Sequence, residues 1–495
     1  MSFNKKVSPA KNKTPSLNIG CLMDYSTGVP KTGSKGETLI DGGLHPTTGV
    51  TGEPNGGKTG NSLRQMLVAL LRYSVADATT YDTENTLPQE RIAQTAEQAA
   101  PGLLYTPEEI AMDDDIDATS VKRHAFTNLT QYPNGDKFFG EFKEYGKSRS
   151  RLKADMHETP FLDSADKPIT MLAPSMVFID SLSMFNTTGV KDLQDKADIG
   201  SSGRNIEAMR DNMAKNQMML ELPGMCAQNG LYFIMTAHLG KQHQMDPHAP
   251  PRKQLSFLKN DLKLKNVPEK FNFLVHNLWY FFSMKPLINK QTKKPEYPRE
   301  TDVDSQVGDT DLQIITCMNL RGKSGKSGLP FDIILSQTDG ILDSLTEFHH
   351  CKKNERFGLG GNNTTYYLEL MPEVSLGRTT VRRKLAEDDK LKVAARMTAD
   401  LLQIKQEWSF IPHDLWCDPK VLYEDLKAMG YDWDKLYQTR GYWTFDQYTN
   451  PIPYLSTMDL LYMRKGLYVP YWYDKKELKS NGQPAKTVTG SKGSK

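Results

Sequence analysis

The segment Gly52-Glu-Pro-Asn-Gly-Gly57-Lys58-Thr59 decides the fold class of this chain of 495 residues. It matches the pattern G-x-x-x-x-G-K-[ST], in which glycines let backbone N–H groups turn inward around phosphate oxygens. The sequence SLRQMLVALLRYSVA at 62–76 predicts a helix after it, and the positive N-terminal end of that helix would add to the attraction. The pattern predicts a phosphate site made of Gly52, Glu53, Pro54, Asn55, Gly56, Gly57, Lys58, Thr59 and Gly60.

The side chains of this segment suit a nucleoside triphosphate with its magnesium ion. Lys58 would reach the β- and γ-phosphates, and Thr59 would bind Mg²⁺ through its hydroxyl. A further ligand is indicated by Ser175-Met-Val-Phe-Ile-Asp180, an apolar run that ends in a carboxylate. Because ligands of α/β folds bind at the carboxyl ends of the strands, we expect Asp180 to orient the magnesium shell.

Hydrolysis also needs a group that positions or deprotonates a water molecule. Glu84, in Thr79-Thr-Tyr-Asp-Thr-Glu84-Asn, follows an apolar strand that comes directly after the phosphate-loop helix. That order would bring its carboxylate toward the γ-phosphate. Asp82 is the alternative for the same role.

The rest of the core alternates between short apolar runs and helical patterns. Such alternation predicts an α/β fold with a mostly parallel central sheet. The strand candidates lie at 78–81, 176–179, 231–236, 278–282, 312–318 and 331–335. The helical patterns lie at 62–76, 88–100 and 205–221.

Changes in composition along the chain indicate its domain organisation. Residues 1–17 are polar and Lys-rich and predict a flexible arm, and 18–361 predict the ATPase core. Within the core, 101–172 separates two strands by more than a crossover needs, which indicates an insertion. Residues 362–474 predict a smaller helical or mixed C-terminal domain, and 475–495 a disordered tail.

Composition limits where the protein acts and what it binds. The net charge is only +2, so a nucleic-acid site must be a local cluster of Lys and Arg. The five cysteines form no C-x-x-C pair, which argues against a disulfide framework or a structural zinc site. We find no apolar run long enough for a membrane span and no signal peptide, and therefore expect a cytoplasmic protein without membrane partners.

The order of these motifs resembles the RecA-like ATPase superfamily. Phosphate loop, helix, Tyr-Asp-Thr-Glu, Val-Phe-Ile-Asp-Ser and Tyr-Phe-Ile-Met-Thr-Ala-His238 follow one another as they do in that core. The lead-in Ile40-Asp-Gly-Gly-Leu44, and the segments Arg321-Gly-Lys-Ser-Gly-Lys-Ser-Gly-Leu-Pro-Phe331 and Thr338-Asp-Gly-Ile341, are most similar to the phage UvsX-type strand-exchange recombinases. The resemblance covers about residues 20–350. It implies a RecA-like P-loop NTPase core that uses ATP and Mg²⁺.

The resemblance also implies roles for particular residues. Glu84 lies where the family has its catalytic glutamate, and His238 where it has a residue that senses the γ-phosphate. Arg321 falls where a cation reaches the ATP of the neighbouring subunit, with Lys323 and Lys326 as weaker candidates and an exposed basic hairpin as the alternative. Arg91 lies near the position of an aromatic residue that covers the adenine, where a planar guanidinium would stack.

Two loops of the family bind DNA, and they would fall here at about 185–204 and 239–270. The second is rich in cations, which phosphates need, and it lacks the family's glycine cluster. The alternative is a solvated insertion of ordinary basic character. The DNA-binding candidates are Arg204, Lys241, Arg252, Lys253, Phe257, Lys259 and Lys263.

Three functions remain open at this point. The first is a DNA-dependent ATPase that forms helical filaments on single-stranded DNA, pairs it with duplex DNA and exchanges strands in recombination and repair. If the chain is of phage origin, this would happen in the cytoplasm of the bacterial host. The second is a ring helicase of the DnaB type, although we find no helical collar before the core. The third is a nucleotide-gated DNA-binding assembly protein with little turnover.

Overall fold

The computed structural model describes residues 14–105, 107–112, 126–129, 135–149, 151, 156–185, 204–241, 254–259, 261–299, 309–323, 327–475 and 478. Its strands are β1 (Val29–Thr32), β2 (Thr38–Asp41), β3 (Thr47–Gly52), β4 (Asp77–Asp82), β5 (Phe126–Leu129), β6 (Met156–Leu162), β7 (Pro168–Leu172), β8 (Ser175–Asp180), β9 (Leu231–Lys241), β10 (Leu262–Leu264), β11 (Asn277–Pro286), β12 (Leu312–Gly322), β13 (Pro330–Ser336), β14 (Gly340–Ile341), β15 (Leu359–Gly361), β16 (Thr365–Leu368) and β17 (Met371–Gly377).

The helices alternate with these strands in the first half of the chain and dominate the second. They are α1 (Met23–Thr27), α2 (Lys58–Arg72), α3 (Gln89–Ala99), α4 (Pro107–Met112), α5 (Gly135–Arg149), α6 (Arg204–Asn229), α7 (Phe271–Leu274), α8 (Asp343–Lys353), α9 (Val381–Glu387), α10 (Asp389–Glu407), α11 (Pro419–Ala428), α12 (Trp433–Leu436) and α13 (Thr457–Arg464).

A large central sheet organises the core. Its strand order is β14-β13-β12-β11-β3-β9-β8-β4-β5, with β10 attached to β9. The strands from β11 to β5 run parallel to their neighbours, and β12, β13 and β14 extend the sheet antiparallel. The predicted α/β class is therefore confirmed. Strand β3, which precedes the phosphate loop, lies in the middle of the sheet. Strand β9 separates it from β8, which ends in Asp180.

Both faces of the sheet are covered, as a mostly parallel sheet requires. Consecutive residues of β8 show why: Met176 and Phe178 belong to one buried cluster, and Val177 and Ile179 to the other. The first cluster includes α2, α3 and the C-terminal helices, and the second includes α5 and α6. The sequence of a strand that is buried on both faces is a continuous apolar run. This pattern predicted β8.

Each predicted strand and helix matches an observed element, but several observed strands were not predicted, and one of them lies at the most important place. β3, with the sequence TTGVTG, is buried along its whole length but was not among the apolar runs. Its glycines are explained by close neighbours, because a Cβ at Gly49 would lie 2.8 Å from the side chains of Leu278 and Phe271. This environment belongs to the assembled sheet and is not visible in the local pattern.

Two regions relate to the predicted domain organisation. Within 101–172, β5 joins the edge of the sheet beside β4, and β6 and β7 form a hairpin. From β15 onward, a small antiparallel sheet of β15, β16 and β17 and helices α9 to α13 share a continuous apolar cluster with the core. The domain boundaries given above remain predictions.

Two further predictions concern cysteines and membranes. All five cysteines are free and buried. In the described ranges, we find no helix with the length and apolar character needed to cross a membrane.

Candidate nucleotide site

The phosphate loop connects β3 to α2 in a conformation that its glycines allow. Gly57 has a φ of 80°, in the left-handed region where a side chain would be strained. A Cβ at Gly57 would lie 2.8 Å from Cδ1 of Ile315, and one at Gly52 only 2.3 Å from the carbonyl oxygen of Phe281. Gly52 is thus required by space, because its neighbour is backbone, and Gly57 by its conformation.

Lys58 begins helix α2 and turns its amine back onto the loop. Its Nζ donates to the carbonyl oxygens of Gly52, at 3.1 Å, and Glu53, at 2.8 Å. Burial lowers the pKa of this amine, although the carboxylates of Asp180, Glu84 and Glu53 act in the opposite direction. A cation enclosed by the loop is placed where the phosphates of a bound nucleotide would pass.

Thr59 and Asp180 meet at the same end of the sheet. The Thr59 hydroxyl donates to Oδ2 of Asp180 at 2.6 Å, and the Thr236 hydroxyl donates to Oδ1. Burial raises the pKa of Asp180, against the hydrogen bonds from both threonines. Two oxygen ligands side by side fit Mg²⁺, which takes few protein ligands and completes its shell with water and phosphate oxygens. Thr236 was not a predicted site residue.

Glu84 occupies the adjacent position, where β4 ends. Its Oε1 accepts a hydrogen bond from the Ser181 hydroxyl at 2.6 Å and lies 2.5 Å from Nε2 of His238. Burial alone would raise the pKa of Glu84, but the hydrogen bonds from Ser181 and His238 and the nearby charges outweigh it and lower the pKa. The carboxylate is therefore ionised at neutral pH. The register Gly52↔His238 and Asp82↔Asp180 explains why these strand ends come together.

The alternative carboxylate, Asp82, has a structural use. Its Oδ1 accepts from the backbone N–H of Glu84 at 3.0 Å, and its Oδ2 from that of Leu87 at 2.8 Å. Thr83 adds a connection to the next strand, because its hydroxyl accepts from the Ser181 N–H at 2.7 Å. Asp82 and Thr83 hold the turn that presents Glu84. The signal for this structural role in the sequence was an Asp whose side chain can accept hydrogen bonds from backbone N–H groups a few residues further along the chain.

A cavity of about 360 Å³ lies beside the phosphate loop, large enough for a nucleotide base and ribose. Arg91 of α3 is at its edge, where its guanidinium approaches Gly60 and donates to the Thr86 carbonyl oxygen at 3.3 Å. The walls come from three parts of the chain: the phosphate loop with α2, helix α3, and strands β11 to β14. The lining includes Asn55, Gly57, Gly60, Arg91, Gln94, Gln98, Met284, Ile315, Leu335, Ser336, Gln337, Gly340 and Ile341.

Arg321 lies toward the other end of the strands from the phosphate loop. It pairs with Leu278, which pairs with Gly49, so Arg321 is displaced from Gly52 by roughly 10 Å along the strand direction. Its guanidinium donates to the carbonyl oxygen of Asn272 and lies 5.3 Å from the ring of Phe273. The structure does not bring Arg321 to the phosphate loop of its own chain.

The predicted DNA loops are described only in part. Residues 186–203, 242–253 and Lys326 lie outside the described residues, and so do the side chain of Arg204 and both Arg252 and Lys253. In the second loop, Lys241 and Lys263 are exposed on the paired strands β9 and β10, and the amine of Lys259 lies 3.6 Å from the Glu53 carboxylate. Phe257 is 46% exposed, and its ring covers Gly328.

Comparisons with known proteins give little at the level of sequence. No protein-family model matches the chain, and no curated protein matches it. Among solved structures the chain is similar to the RadB recombinase, with 15% sequence identity and a TM-score of 0.32 over 61% of this chain and 92% of that chain. A similarity of this size carries no argument about function. The functional assignment depends on the geometry of the site.

Proposed function

We propose that this protein is an ATP-dependent DNA recombinase of the phage UvsX type. It would assemble on single-stranded DNA, pair that strand with a homologous duplex and exchange strands. One observation carries the ATP-hydrolysing part of the proposal: Glu84, held by Ser181 and His238, adjoins the Thr59–Asp180 pair next to the phosphate loop. The recombinase type is supported by the order of the motifs. A phosphate grip, a magnesium position and a carboxylate for water are the parts that ATP hydrolysis needs.

Each residue has a distinct task in that reaction. Lys58 and the N–H groups of the loop would hold the β- and γ-phosphates, while Thr59 and Asp180 would hold Mg²⁺, which neutralises the charge on the phosphate oxygens. Glu84 would orient a water molecule and accept its proton as the water oxygen attacks the γ-phosphorus atom and ADP leaves. His238 would bind the γ-phosphate and be released when that phosphate departs.

Contacts between the site and the second loop support a dependence of hydrolysis on DNA. The carbonyl oxygen of His238 accepts from the Lys265 N–H at 2.8 Å. The Ser183 hydroxyl accepts from the His238 N–H at 2.9 Å and donates to the Lys265 carbonyl oxygen at 2.8 Å. A shift of His238 would therefore move the end of the loop that bears the candidate DNA-binding lysines.

The position of Arg321 supports assembly into an oligomer. This guanidinium lies at the other end of the strands from the phosphate loop of its own chain. It would therefore be available to the nucleotide of a neighbouring subunit. An arginine supplied in trans stabilises charge that develops in the transition state of phosphoryl transfer. Such an arrangement ties hydrolysis to polymerisation.

The test compares ATP hydrolysis with and without single-stranded DNA, followed by a three-strand exchange assay and electron microscopy with an ATP analogue. We expect DNA to stimulate hydrolysis, joint molecules to form, and helical filaments to appear. The Glu84→Gln variant serves as the control, since it should bind DNA and ATP without hydrolysis. ATP-driven unwinding by closed rings would replace the proposal with a helicase, and full function in Glu84→Gln would replace it with a non-hydrolysing assembly protein.

A further inference from the structure

The cavity beside the phosphate loop, called the base cavity below, has the turn between β13 and β14 as one of its walls. Residues from other parts of the chain hold this turn in place. Ser336, Gln337 and Gly340 line the cavity. Gly340 has a φ of 73°, and a Cβ there would lie 2.5 Å from Oε1 of Gln98. Nε2 of Gln98 donates to the Thr338 carbonyl oxygen at 2.5 Å, so helix α3 meets this turn across the cavity.

Arg382, from helix α9 in the C-terminal segment, holds the outer side of the same turn. One of its guanidinium nitrogens lies 2.7 Å from Oδ2 of Asp339, 2.9 Å from Oδ2 of Asp311 and 3.0 Å from the Ser336 hydroxyl. Its two hydrogens are shared among these three acceptors. The side chain of Arg382 is only 7% exposed, so its charged group is shielded from solvent, whereas the side chain of Asp339 is 41% exposed.

The acceptors are themselves connected to the turn. Oδ1 of Asp311 accepts from the hydroxyls of Ser336, at 2.9 Å, and Thr338, at 3.0 Å. The Ser336 hydroxyl also accepts from the Asp339 N–H at 3.0 Å. Burial acts to raise the pKa of Asp311, but hydrogen bonds from Arg382, Ser336 and Thr338 lower it overall. The carboxylate therefore remains charged opposite Arg382.

We propose that Arg382 is a positioning residue for the nucleotide, which fixes the Ser336–Gly340 wall of the base cavity and makes nucleotide affinity depend on the C-terminal segment. Helix α9 contacts α8, α10 and β17, so a movement of that segment is transmitted to the wall through this side chain. In the described part of the chain, the hydrogen bonds of Arg382 go to Asp311, Ser336 and Asp339 and do not reach the phosphate loop. Its loss should weaken binding of the base and ribose and leave binding of the triphosphate intact.

The inference depends on the proposed ATP site. Two ligands, ATP and magnesium tripolyphosphate, distinguish a failure of the positioning role from a failure of the ATP site itself. Full-length wild type, Arg382→Ala, Arg382→Lys and the exposed neighbour control Arg383→Ala are compared in ATPase assays and by calorimetry. In Arg382→Ala we expect KM for ATP to rise about tenfold, with kcat changed less than about threefold, from the loss of charge-assisted bonds. Inhibition by magnesium tripolyphosphate, which has neither base nor ribose, should be unchanged. Arg382→Lys should recover part of the loss.

Each other outcome has a clear meaning. If wild type binds neither ATP nor tripolyphosphate, the nucleotide site itself is wrong. If wild type binds ATP and Arg382→Ala has the KM of Arg383→Ala, the positioning role is wrong. An equal loss of affinity for ATP and tripolyphosphate would also overturn it, because the effect would then reach the phosphate loop. Should Arg382→Ala fail to fold, Asp339→Asn, which weakens the bonds that this turn makes with Arg382 and with Arg299, must raise KM for ATP and leave inhibition by tripolyphosphate unchanged.

Discussion

Nε2 of His238 lies 2.5 Å from Oε1 of Glu84, and this contact joins β9 to the turn that follows β4, although β8 lies between these two strands in the sheet. The same carboxylate oxygen accepts a hydrogen bond from Ser181, so among the residues that the structure describes Oε2 is the oxygen left for a water molecule. A γ-phosphate that attracts the His238 ring would compete with Glu84 for it. Nucleotide binding would thereby release the carboxylate for its role in hydrolysis.

The first prediction concerns Glu84 and its alternative. Glu84→Gln should lower the ATPase rate by roughly 100-fold or more, the usual contribution of a general base, while calorimetry shows ATP binding within about threefold of wild type. Asp82→Asn should cost about tenfold or less in rate and lower the melting temperature, because it removes one bond that holds the turn. The reverse order of rates would assign the chemistry to Asp82.

Sequence patterns were sufficient where function depends on a continuous segment. The phosphate loop, the strand ending in Asp180 and the strand that contains His238 were found because each consists of adjacent residues with a distinctive chemistry. The register that brings Glu84 to His238 depends on β9 and β8 lying between β3 and β4. The order of motifs indicated such a sheet only through the resemblance to a known core.

Residues that act through long-range contacts were not predictable in the same way. Arg382 is separated from Asp311 by 71 positions, and no local pattern marks the pair. Thr236 lies inside an apolar strand and became informative only because β9 is next to β8. The cavity beside the phosphate loop is lined by the loop with α2, by helix α3 and by strands β11 to β14, so its existence is a property of tertiary packing.

The second prediction concerns Lys58 of the phosphate loop. Lys58→Ala should abolish nucleotide-dependent DNA binding, since the amine that the loop encloses is the group that would meet the β- and γ-phosphates. Fluorescence anisotropy of a labelled oligonucleotide, titrated with and without an ATP analogue, measures this. Lys31→Ala, on an exposed strand, is the matched control. Normal hydrolysis in Lys58→Ala would remove the assignment of the phosphate loop.

The third prediction concerns Arg321. Arg321→Ala should retain ATP binding but lose most of its DNA-stimulated hydrolysis, because the guanidinium would act on the nucleotide of a neighbour. Mixing it with Glu84→Gln should restore activity, since about a quarter of the subunit contacts in an equal mixture would pair an intact Glu84 with an intact Arg321. An inactive mixture, or an unchanged rate in Arg321→Ala alone, would contradict action in trans.

The fourth prediction concerns the described part of the second DNA loop. Replacing Lys241, Lys259 and Lys263 with alanine should weaken binding to single-stranded DNA of any sequence. It should also reduce the slope of log affinity against log salt by about 2, since each phosphate contact contributes about 0.7. The exposed pair Lys420 and Lys427 in the C-terminal segment provides the control substitutions. An unaltered salt slope would favour an ordinary solvated insertion.

The fifth prediction concerns Asp400, which is buried on α10 and accepts a hydrogen bond from the Thr457 hydroxyl at 2.7 Å. Burial raises its pKa from 3.8 to about 7, although Arg396 and Thr457 act to lower it, and Asp24 adds to the rise. Glu347 is a further buried carboxyl close to this group. Because the folded-state pKa lies above the unfolded one, the folded protein binds more protons between these values, and stability falls as pH rises toward 7.

Asp400→Asn should remove this dependence while its side-chain oxygen still accepts from Thr457. We expect the melting temperature of the variant relative to wild type to increase between pH 5 and pH 8, by an amount equivalent to about 1–3 kcal/mol. Asp389→Asn, at an exposed position of the same helix, should show a constant difference over that range. A constant difference for Asp400→Asn as well would mean that the buried carboxyl keeps its charge through Arg396, and that the C-terminal packing does not respond to pH at this residue.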